Sequence, residues 1–188
     1  MLLLASKSPR RRQLIEQLGI PFRVVDVDVD EVVPRDTPVE LITAHLALLK
    51  SKGYNNPLAD GEVLLTADTI VVHRGQVLGK PHSRDEAIAM LRALSGDSHL
   101  VYSGVCLRNA HRQRVFTEAT TVFFRHLDDE TILRYVDQGT CFDKAGAYGA
   151  QEWIGMVAVE RIEGCYYNVV GLPVSRLFQE LQSFRSSQ

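Results

Sequence analysis

Three consecutive arginines, Arg10 to Arg12, follow Ser8-Pro9 near the start of the chain. A serine cap and a proline at the first helical position predict that a helix begins here. The N-terminal end of a helix already carries partial positive charge, so arginines there do not help its stability. The pattern predicts an anion site, most simply for a phosphate chain, and a variant lacking Arg11 is expected to fold normally. A solvated basic face paired with acids elsewhere is the alternative.

Asp68 is the second residue with a predicted chemical role. It is the one charge in VLLTADTIVV, residues 63–72, a nearly continuous apolar run that predicts a central strand covered on both faces. An ionised carboxylate in such a strand is costly unless it is paired or binds a metal. Glu31, at the end of a strand predicted over 22–29, is a second carboxylate expected to face a site.

Two later segments complete the set of candidate residues. A turn at 73–76 leads into VLGKP, so Lys80 is expected to return beside the end of the Asp68 strand. The segment FDKAGAYGAQ, residues 142–151, is rich in small residues, which suits either close backbone approach to a ligand or a tight structural turn. Together these residues supply cations for phosphates, carboxylates for a divalent metal and a small-residue loop for a flat ligand.

The elements expected to position these residues alternate between strand and helix. Strands are predicted at 2–5, 22–29, 63–72, 77–81, 100–107 and 114–124, with a further hairpin formed by 156–162 and 165–170. Helices are predicted from Pro9 to Gly19, over 38–52 behind a capping box at Thr37–Glu40, after Ser83, after Asp128 and from Pro173. This order indicates a single α/β domain, residues 1–188, around a mixed, partly antiparallel sheet.

Composition limits the classes of function. The 188 residues are 45% hydrophobic and 23% charged, which is enough for one core without disulfides or structural metal. A net charge of −2 disfavours a nucleic-acid binder, so a small polyanion is the better partner. The three cysteines lack metal-ligand spacing and suit a reducing compartment. With no membrane span or signal peptide apparent, the protein is expected to be cytoplasmic.

The candidate residues fall within motifs that resemble a known family. Ser6-Lys7-Ser8-Pro9-Arg10-Arg11 is similar to the opening signature of the Maf family, nucleoside triphosphate pyrophosphatases also described as septum-formation inhibitors. The runs Ala67-Asp68-Thr69, Gly79-Lys80-Pro81, Asp143 to Gly149 and Val170 to Pro173 occur in the family's order and approximate spacing. The resemblance therefore covers almost the whole chain.

The resemblance implies a fold, a cofactor and roles for individual residues. The fold would be an elongated mixed sheet flanked by helices, similar to inosine triphosphate pyrophosphatases; family members are often dimeric, which leaves a homodimer open. The cofactor would be Mg²⁺ or Mn²⁺, bound by Glu31 and Asp68, with Asp68 also the proton acceptor. The implied phosphate and metal pocket comprises Ser6, Arg10, Arg11, Glu31, Lys50, Asp68 and Lys80. Arg10, Thr69 and Gln151 match positions linked to base selection.

The resemblance also implies a reaction. The loop Asp-Lys-Ala-Gly-Ala-Tyr-Gly followed by Gln151 resembles the branch acting on dTTP and UTP, whereas the branch acting on 7-methyl-GTP has a Ser-Phe-Lys-Ser-Glu type of loop. Metal-assisted attack of water on the α-phosphorus would release the monophosphate and pyrophosphate. Glu152 and Ser103 depart from the glycine and threonine common in relatives, which puts fine substrate preference in question. A nucleotide-binding regulator of cell division with little turnover is the alternative.

Overall fold

The structure is a computed structural model that describes residues 1–186. The strands are β1 (Leu2–Leu4), β2 (Phe22–Val24), β3 (Val63–His73), β4 (Gln76–Leu78), β5 (Ser98–Arg108), β6 (Gln113–Phe124) and β7 (Val159–Glu163). The helices are α1 (Pro9–Gln17), α2 (Val39–Lys52), α3 (Arg84–Leu94), α4 (Asp129–Val136), α5 (Trp153–Ala158), α6 (Tyr166–Val170) and α7 (Val174–Ser186). Two 3₁₀ turns, Cys141–Asp143 and Ala145–Ala147, precede α5.

The strands form one mixed sheet. Their order is β2-β1-β3-β5-β6-β7, and β4 pairs with β3. β1 is parallel to both neighbours, with Leu4 opposite Val24 and Leu65. β4 is antiparallel to β3, and β7 is antiparallel to β6. The predicted α/β class and the mixed, partly antiparallel sheet flanked by helices are therefore confirmed.

The chain divides into two compact units. Among the described residues, the first unit combines 1–69, 103–118 and 171–186, and the second combines 70–102 with 119–170. β3, β5 and β6 each contribute residues to both units. The expectation of one domain over residues 1–188 stays a prediction.

In the first unit, α2 packs closely against the sheet. The buried Thr66 hydroxyl in β3 donates a hydrogen bond to the Ala47 carbonyl of α2 over 2.6 Å. At Gly104 of β5, an added Cβ would lie 2.2 Å from the carbonyl carbon of Thr43, so the helix backbone leaves room only for glycine. These contacts position the last turn of α2, which carries Lys50, against β3.

In the second unit, α3 and α4 pack their apolar faces into one core. Leu91 and Leu94 of α3, and Ile132 and Tyr135 of α4, are fully buried in the same cluster. Ser83 and Asp128 begin these helices as predicted, because their side chains accept hydrogen bonds from the N–H groups three residues later. The predicted caps of α3 and α4 are thus confirmed.

The predicted capping box of α2 is wrong. The helix begins at Val39, and its cap residue is Pro38, which has no side chain able to accept a hydrogen bond. Thr37 therefore lies one residue too early in the chain to cap the first turn.

The strand predicted over 22–29 is also too long, since β2 ends at Val24. Val25 and Val27 pack against an apolar cluster that contains Leu3 and Tyr54, while Asp26 between them is exposed. An extended segment that lies against a core shows the same alternation of apolar and polar residues as a strand, although it does not pair with a neighbouring strand.

The hairpin predicted from 156–162 and 165–170 is wrong as well. Residues 153–158 form α5, only 159–163 form a strand, and Tyr166–Val170 form α6. The buried Asn168 in α6 donates hydrogen bonds of 3.0 Å to the Val101 carbonyl and to the Thr120 hydroxyl. Short apolar runs are compatible with either a helix or a strand, and tertiary contacts of this kind decide between the two.

None of the helices within residues 1–186 combines the length and the apolar character needed to cross a membrane.

Candidate active site

The turn between β1 and α1 has the predicted form. Ser8 is the cap residue of α1, its hydroxyl accepts from the Arg11 N–H over 3.4 Å, and Pro9 is the first helical residue. The Ser6 hydroxyl accepts from the Ser8 N–H over 3.2 Å. The first turn of α1 contains no acidic side chain, so the positive end of the helix and its arginines are not balanced within that turn.

The Arg11 guanidinium holds several parts of the first unit together. Its Nε donates to the Gly171 carbonyl over 2.9 Å, Nη1 donates to the Ala67 carbonyl over 2.9 Å, and Nη2 donates to the Thr69 hydroxyl over 3.0 Å. Nη1 also lies 3.5 Å from the Ser6 hydroxyl. These bonds correct the expectation that Arg11 has no role in folding, because its loss would leave these acceptors without their donor.

Arg11 contacts the residues on both sides of Asp68, namely Ala67 and Thr69. Burial lowers the pKa of the Arg11 guanidinium, and the nearby Asp68 carboxylate opposes that shift. The planar guanidinium can bond several acceptors at fixed angles, so it fixes the backbone that carries Asp68. Direct contact between Arg11 and a phosphate stays a prediction.

Lys50, Asp68 and Glu31 form a close set in the first unit. The Lys50 ammonium lies 2.6 Å from Asp68 Oδ1 and 3.0 Å from Glu31 Oε2. The Lys50 and Asp68 side chains are 17% and 15% exposed, whereas Glu31 is 51% exposed. In the sequence only the family resemblance singled out Lys50, and the fold makes it the bridge between two carboxylates.

Ser103 is a further residue of this region. The Thr69 hydroxyl lies 2.8 Å from the hydroxyl of the fully buried Ser103 and 3.2 Å from the Gly171 carbonyl. Thr69 is thus held by three groups of the first unit, including the Arg11 guanidinium. The sequence marked Ser103 only as a departure from the family pattern, since nothing in a strand pattern indicates such a contact.

The donor set of Glu31 and Asp68 fits the expected Mg²⁺ or Mn²⁺. Among residues 1–186, no group of three or more His, Cys, Asp or Glu side chains is arranged to hold a metal ion. Two carboxylates suffice for Mg²⁺ when substrate phosphates complete its shell, which is the usual arrangement in phosphoryl-transfer sites. Hard oxygen ligands of this kind favour Mg²⁺ and Mn²⁺ over softer metals.

Lys80 and Gln151 belong to the second unit, and both are exposed. Lys80 follows β4, whose Leu78 lies opposite Val71 of β3, so the predicted return hairpin is confirmed. The preceding Gly79 carbonyl accepts from the Gly146 N–H over 3.0 Å. The segments that carry Lys80 and the small-residue loop are therefore bonded to each other.

The small residues of the 142–151 loop have a packing reason. Gly146 has a φ of 69°, and a Cβ there would lie 3.1 Å from the Val71 side chain. This close approach supports the structural-turn interpretation at Gly146, whereas ligand contact by the loop stays a prediction.

Sequence reasoning missed a network beside this loop. The Lys144 side chain is only 7% exposed, and its ammonium lies 2.7 Å from Glu152 Oε1 and 2.7 Å from Asp143 Oδ1. The other Glu152 oxygen accepts from the buried Tyr135 hydroxyl over 2.5 Å. Tyr135 lies on the apolar face of an amphipathic helix and gave no signal. The available signals were the lysine within a run of small residues and Glu152 as a departure from the family pattern.

Fold and site together define a class of protein: an α/β protein whose cations and paired carboxylates suit a polyphosphate and a divalent cation. Comparison with known proteins agrees with this class. The family model described as Maf-like protein matches residues 1–184. The chain belongs to the Maf family.

Individual relatives resemble the chain over nearly its full length. It is 48% identical to a dTTP/UTP pyrophosphatase of Bacteroides fragilis over 182 residues, which cover 96% of this chain and 94% of the relative. It is 43% identical to a dTTP/UTP pyrophosphatase of Porphyromonas gingivalis, covering 99% and 95% of the two chains. The Staphylococcus aureus Ham1 protein is similar in fold, with a TM-score of 0.50 at 16% identity over 95% of this chain and 98% of that one.

Proposed function

We propose that this protein is a nucleoside triphosphate pyrophosphatase that hydrolyses dTTP and UTP to the monophosphate and pyrophosphate. The observation that carries the proposal is the 48% identity, over 96% of the chain, to a relative named for that activity. Lys50, Asp68 and Glu31 support it, because the reaction needs cations for the triphosphate and a carboxylate for the attacking water.

In this proposal, Asp68 is the general base. It accepts a proton from water as the water oxygen attacks the α-phosphorus, and the bond from that phosphorus to the bridging oxygen breaks. Pyrophosphate leaves with the bonding electrons, and Asp68 later returns its proton to solvent. The contact of 2.6 Å with Lys50 holds Asp68 Oδ1 in place, so the water meets an oriented carboxylate.

Glu31 and Asp68 would hold the divalent cation. When bound, Mg²⁺ or Mn²⁺ would neutralise negative charge on the phosphate oxygens. Ser6, Arg10, Arg11 and Lys80 are proposed to bind the phosphate chain, as the family resemblance implies.

Base recognition is assigned to Gln151, with Thr69 and Arg10 as further candidates from the resemblance. The Gln151 amide has both a donor and an acceptor, which match the adjacent N–H and carbonyl of uracil or thymine. Glu152 departs from the family pattern, and a free carboxylate next to Gln151 would favour the amino group of cytosine. Its two oxygens instead accept from Lys144, Tyr135 and Thr140, which supports a pocket for uracil and thymine.

The test is pyrophosphate release from a nucleotide panel in the presence of Mg²⁺ or Mn²⁺. The expected result is a kcat/KM for dTTP and UTP at least ten times that for CTP, dATP, dGTP and 7-methyl-GTP, since a mismatched base leaves buried groups unpaired at about 1 to 3 kcal/mol each. Equal turnover of purine nucleotides, orthophosphate in place of pyrophosphate, or tight binding without turnover would contradict the proposal.

A further inference from the structure

Gln151 lies in a turn whose two ends are fixed. The turn is closed by a hydrogen bond of 3.0 Å from the Glu152 N–H to the Gly149 carbonyl. At Gly149 an added Cβ would lie 2.8 Å from Gln151 Nε2 and 2.9 Å from Glu152 Cδ. Gly149 therefore leaves the space into which the Gln151 amide packs, and a turn of different shape would move that amide.

One buried hydroxyl contacts both ends of this turn. The Tyr135 hydroxyl donates to Glu152 Oε2 over 2.5 Å and accepts from the Gly149 N–H over 3.3 Å. Tyr135 itself is fully buried in the core of the second unit. Its phenol thus connects the rigid core directly to the residues that flank Gln151.

Glu152 is held from its other side as well. Its Oε1 lies 2.7 Å from the Lys144 ammonium, and Oε2 also accepts from the Thr140 hydroxyl over 3.2 Å. The Lys144 ammonium in turn donates to Asp143 and to the Thr140 carbonyl. Every member of the network has a partner, so the network can hold a single geometry rather than several.

We propose that Tyr135 and Glu152 are positioning residues that fix the turn of residues 149–152 and thereby orient Gln151 for base selection. Neither residue contacts substrate in this scheme; each acts through Gln151. The link to selectivity rests on the proposed function, whereas the link to the shape of the turn does not. The inference therefore has one test that needs no activity and one that does.

The first test is amide hydrogen exchange on the full chain. In Tyr135→Phe, the Gly149 N–H loses its acceptor, so its exchange should become at least ten times faster, and that of the Glu152 N–H should follow. Tyr167→Phe is the matched control, because Tyr167 lies in the same unit but is 44% exposed. Unchanged exchange at both amides in Tyr135→Phe would overturn the positioning role.

The second test compares kcat/KM for dTTP with kcat/KM for dGTP. Partial unfolding lowers activity on both nucleotides equally, so only a misplaced Gln151 changes their ratio. The ratio should fall about tenfold in Tyr135→Phe and stay constant in Tyr167→Phe. Glu152→Gln places an amide N–H₂ against one of the donors that Glu152 accepts from, so it should also lower the ratio. This variant replaces Tyr135→Phe in the test if Tyr135→Phe does not fold.

A double-variant cycle completes the design. If Tyr135 acts through Gln151, then Tyr135→Phe should lower the ratio no further once Gln151→Ala is present. Additive losses would overturn the inference and leave the proposed function intact. If the wild type releases pyrophosphate from none of the nucleotides, the proposed function is overturned, and with it the link between the turn and selectivity. The exchange test still decides whether Tyr135 fixes the shape of the turn.

Discussion

At the scale of single residues, Lys50 illustrates how a function arises from neighbours. Its ammonium lies within 3.0 Å of two carboxylates, Asp68 and Glu31, which would otherwise repel each other. Because Lys50 and Asp68 are both largely shielded from solvent, their attraction is screened less than that of a surface pair. The lysine thus keeps together the two carboxylates that are proposed to bind the divalent cation.

Asp68→Asn should reduce kcat about 10²-fold to 10⁴-fold, since asparagine keeps the shape of the side chain but cannot accept the proton. The melting temperature should stay near that of the wild type, because Lys50 retains Glu31 as a partner. Pyrophosphate release and thermal melts are the measurements. Activity within a few fold of the wild type would show that Asp68 is not the base.

Arg11→Ala should lower the free energy of unfolding by about 3 kcal/mol, because it removes a charged donor shared by several acceptors. If Arg11 acts by positioning Asp68, kcat should fall more than KM rises; if it binds phosphate directly, KM should change most. Arg23→Ala, in the same unit but with a side chain that is 63% exposed, is the control and should leave both stability and kinetics nearly unchanged. Denaturant unfolding and steady-state kinetics distinguish these outcomes.

At the scale of elements, the contact between α2 and the sheet decides where Lys50 lies. Thr66 bonds the Ala47 carbonyl, and Gly104 allows the helix backbone to approach β5 closely. The Thr66 hydrogen bond thus fixes the register of α2 on the sheet, and the absence of a side chain at Gly104 allows the short distance between helix and sheet.

Gly104→Ala should destabilise the protein by more than about 3 kcal/mol or prevent folding, because its methyl group would overlap the Thr43 backbone and force a shift of α2. Gly79→Ala is the control, since a Cβ there would meet nothing within 4 Å. Denaturant midpoints of the two variants provide the comparison. Equal midpoints would mean that α2 can move away from β5 at little cost.

At the scale of the whole molecule, stability should depend on pH through His99. Burial lowers the pKa of this histidine to about 4, and its Nε2 lies 2.7 Å from the Tyr148 hydroxyl. Below its ordinary pKa of 6.5 the unfolded chain binds a proton that the folded chain excludes, so the free energy of unfolding falls between about pH 6.5 and pH 4. The total loss is about 3 kcal/mol.

Asp97 adds a second range, at lower pH, in which the free energy of unfolding changes. The hydrogen bond from His73 lowers the pKa of Asp97 to about 2, so the stabilising contribution of Asp97 is present above pH 3.8 and is lost as pH falls toward 2.

Urea unfolding from pH 3 to 7 should show the loss of stability between pH 6.5 and pH 4 that is assigned to His99. His99→Gln should flatten this pH dependence, while the exposed His111→Gln should not. A wild-type curve that is flat between pH 4 and 6.5 would contradict the assignment to His99.

The cytoplasmic location, the homodimer and the preferred metal remain predictions at this scale. Measurements of mass in solution and of activity with each metal ion address the last two directly.

The sequence alone determined the features that depend on neighbours along the chain. The Ser8-Pro9 start of α1, the caps at Ser83 and Asp128 and the central strand around Asp68 were all predictable, because each follows from local backbone chemistry or from burial of a continuous apolar run. The order of the motifs also indicated the family, since it is a property of the linear sequence.

The tertiary structure decided the features that depend on distant residues. Arg11 bonds a carbonyl 160 residues away, Asn168 of α6 bonds groups 67 and 48 residues away, and the Tyr135 hydroxyl contacts a turn that begins 14 residues further along the chain. An arginine, an asparagine or a tyrosine looks the same in sequence whether its polar atoms meet water, a ligand or a buried partner. Only the fold specifies which of these it meets, because burial and hydrogen bonding are set by groups that the local pattern does not contain.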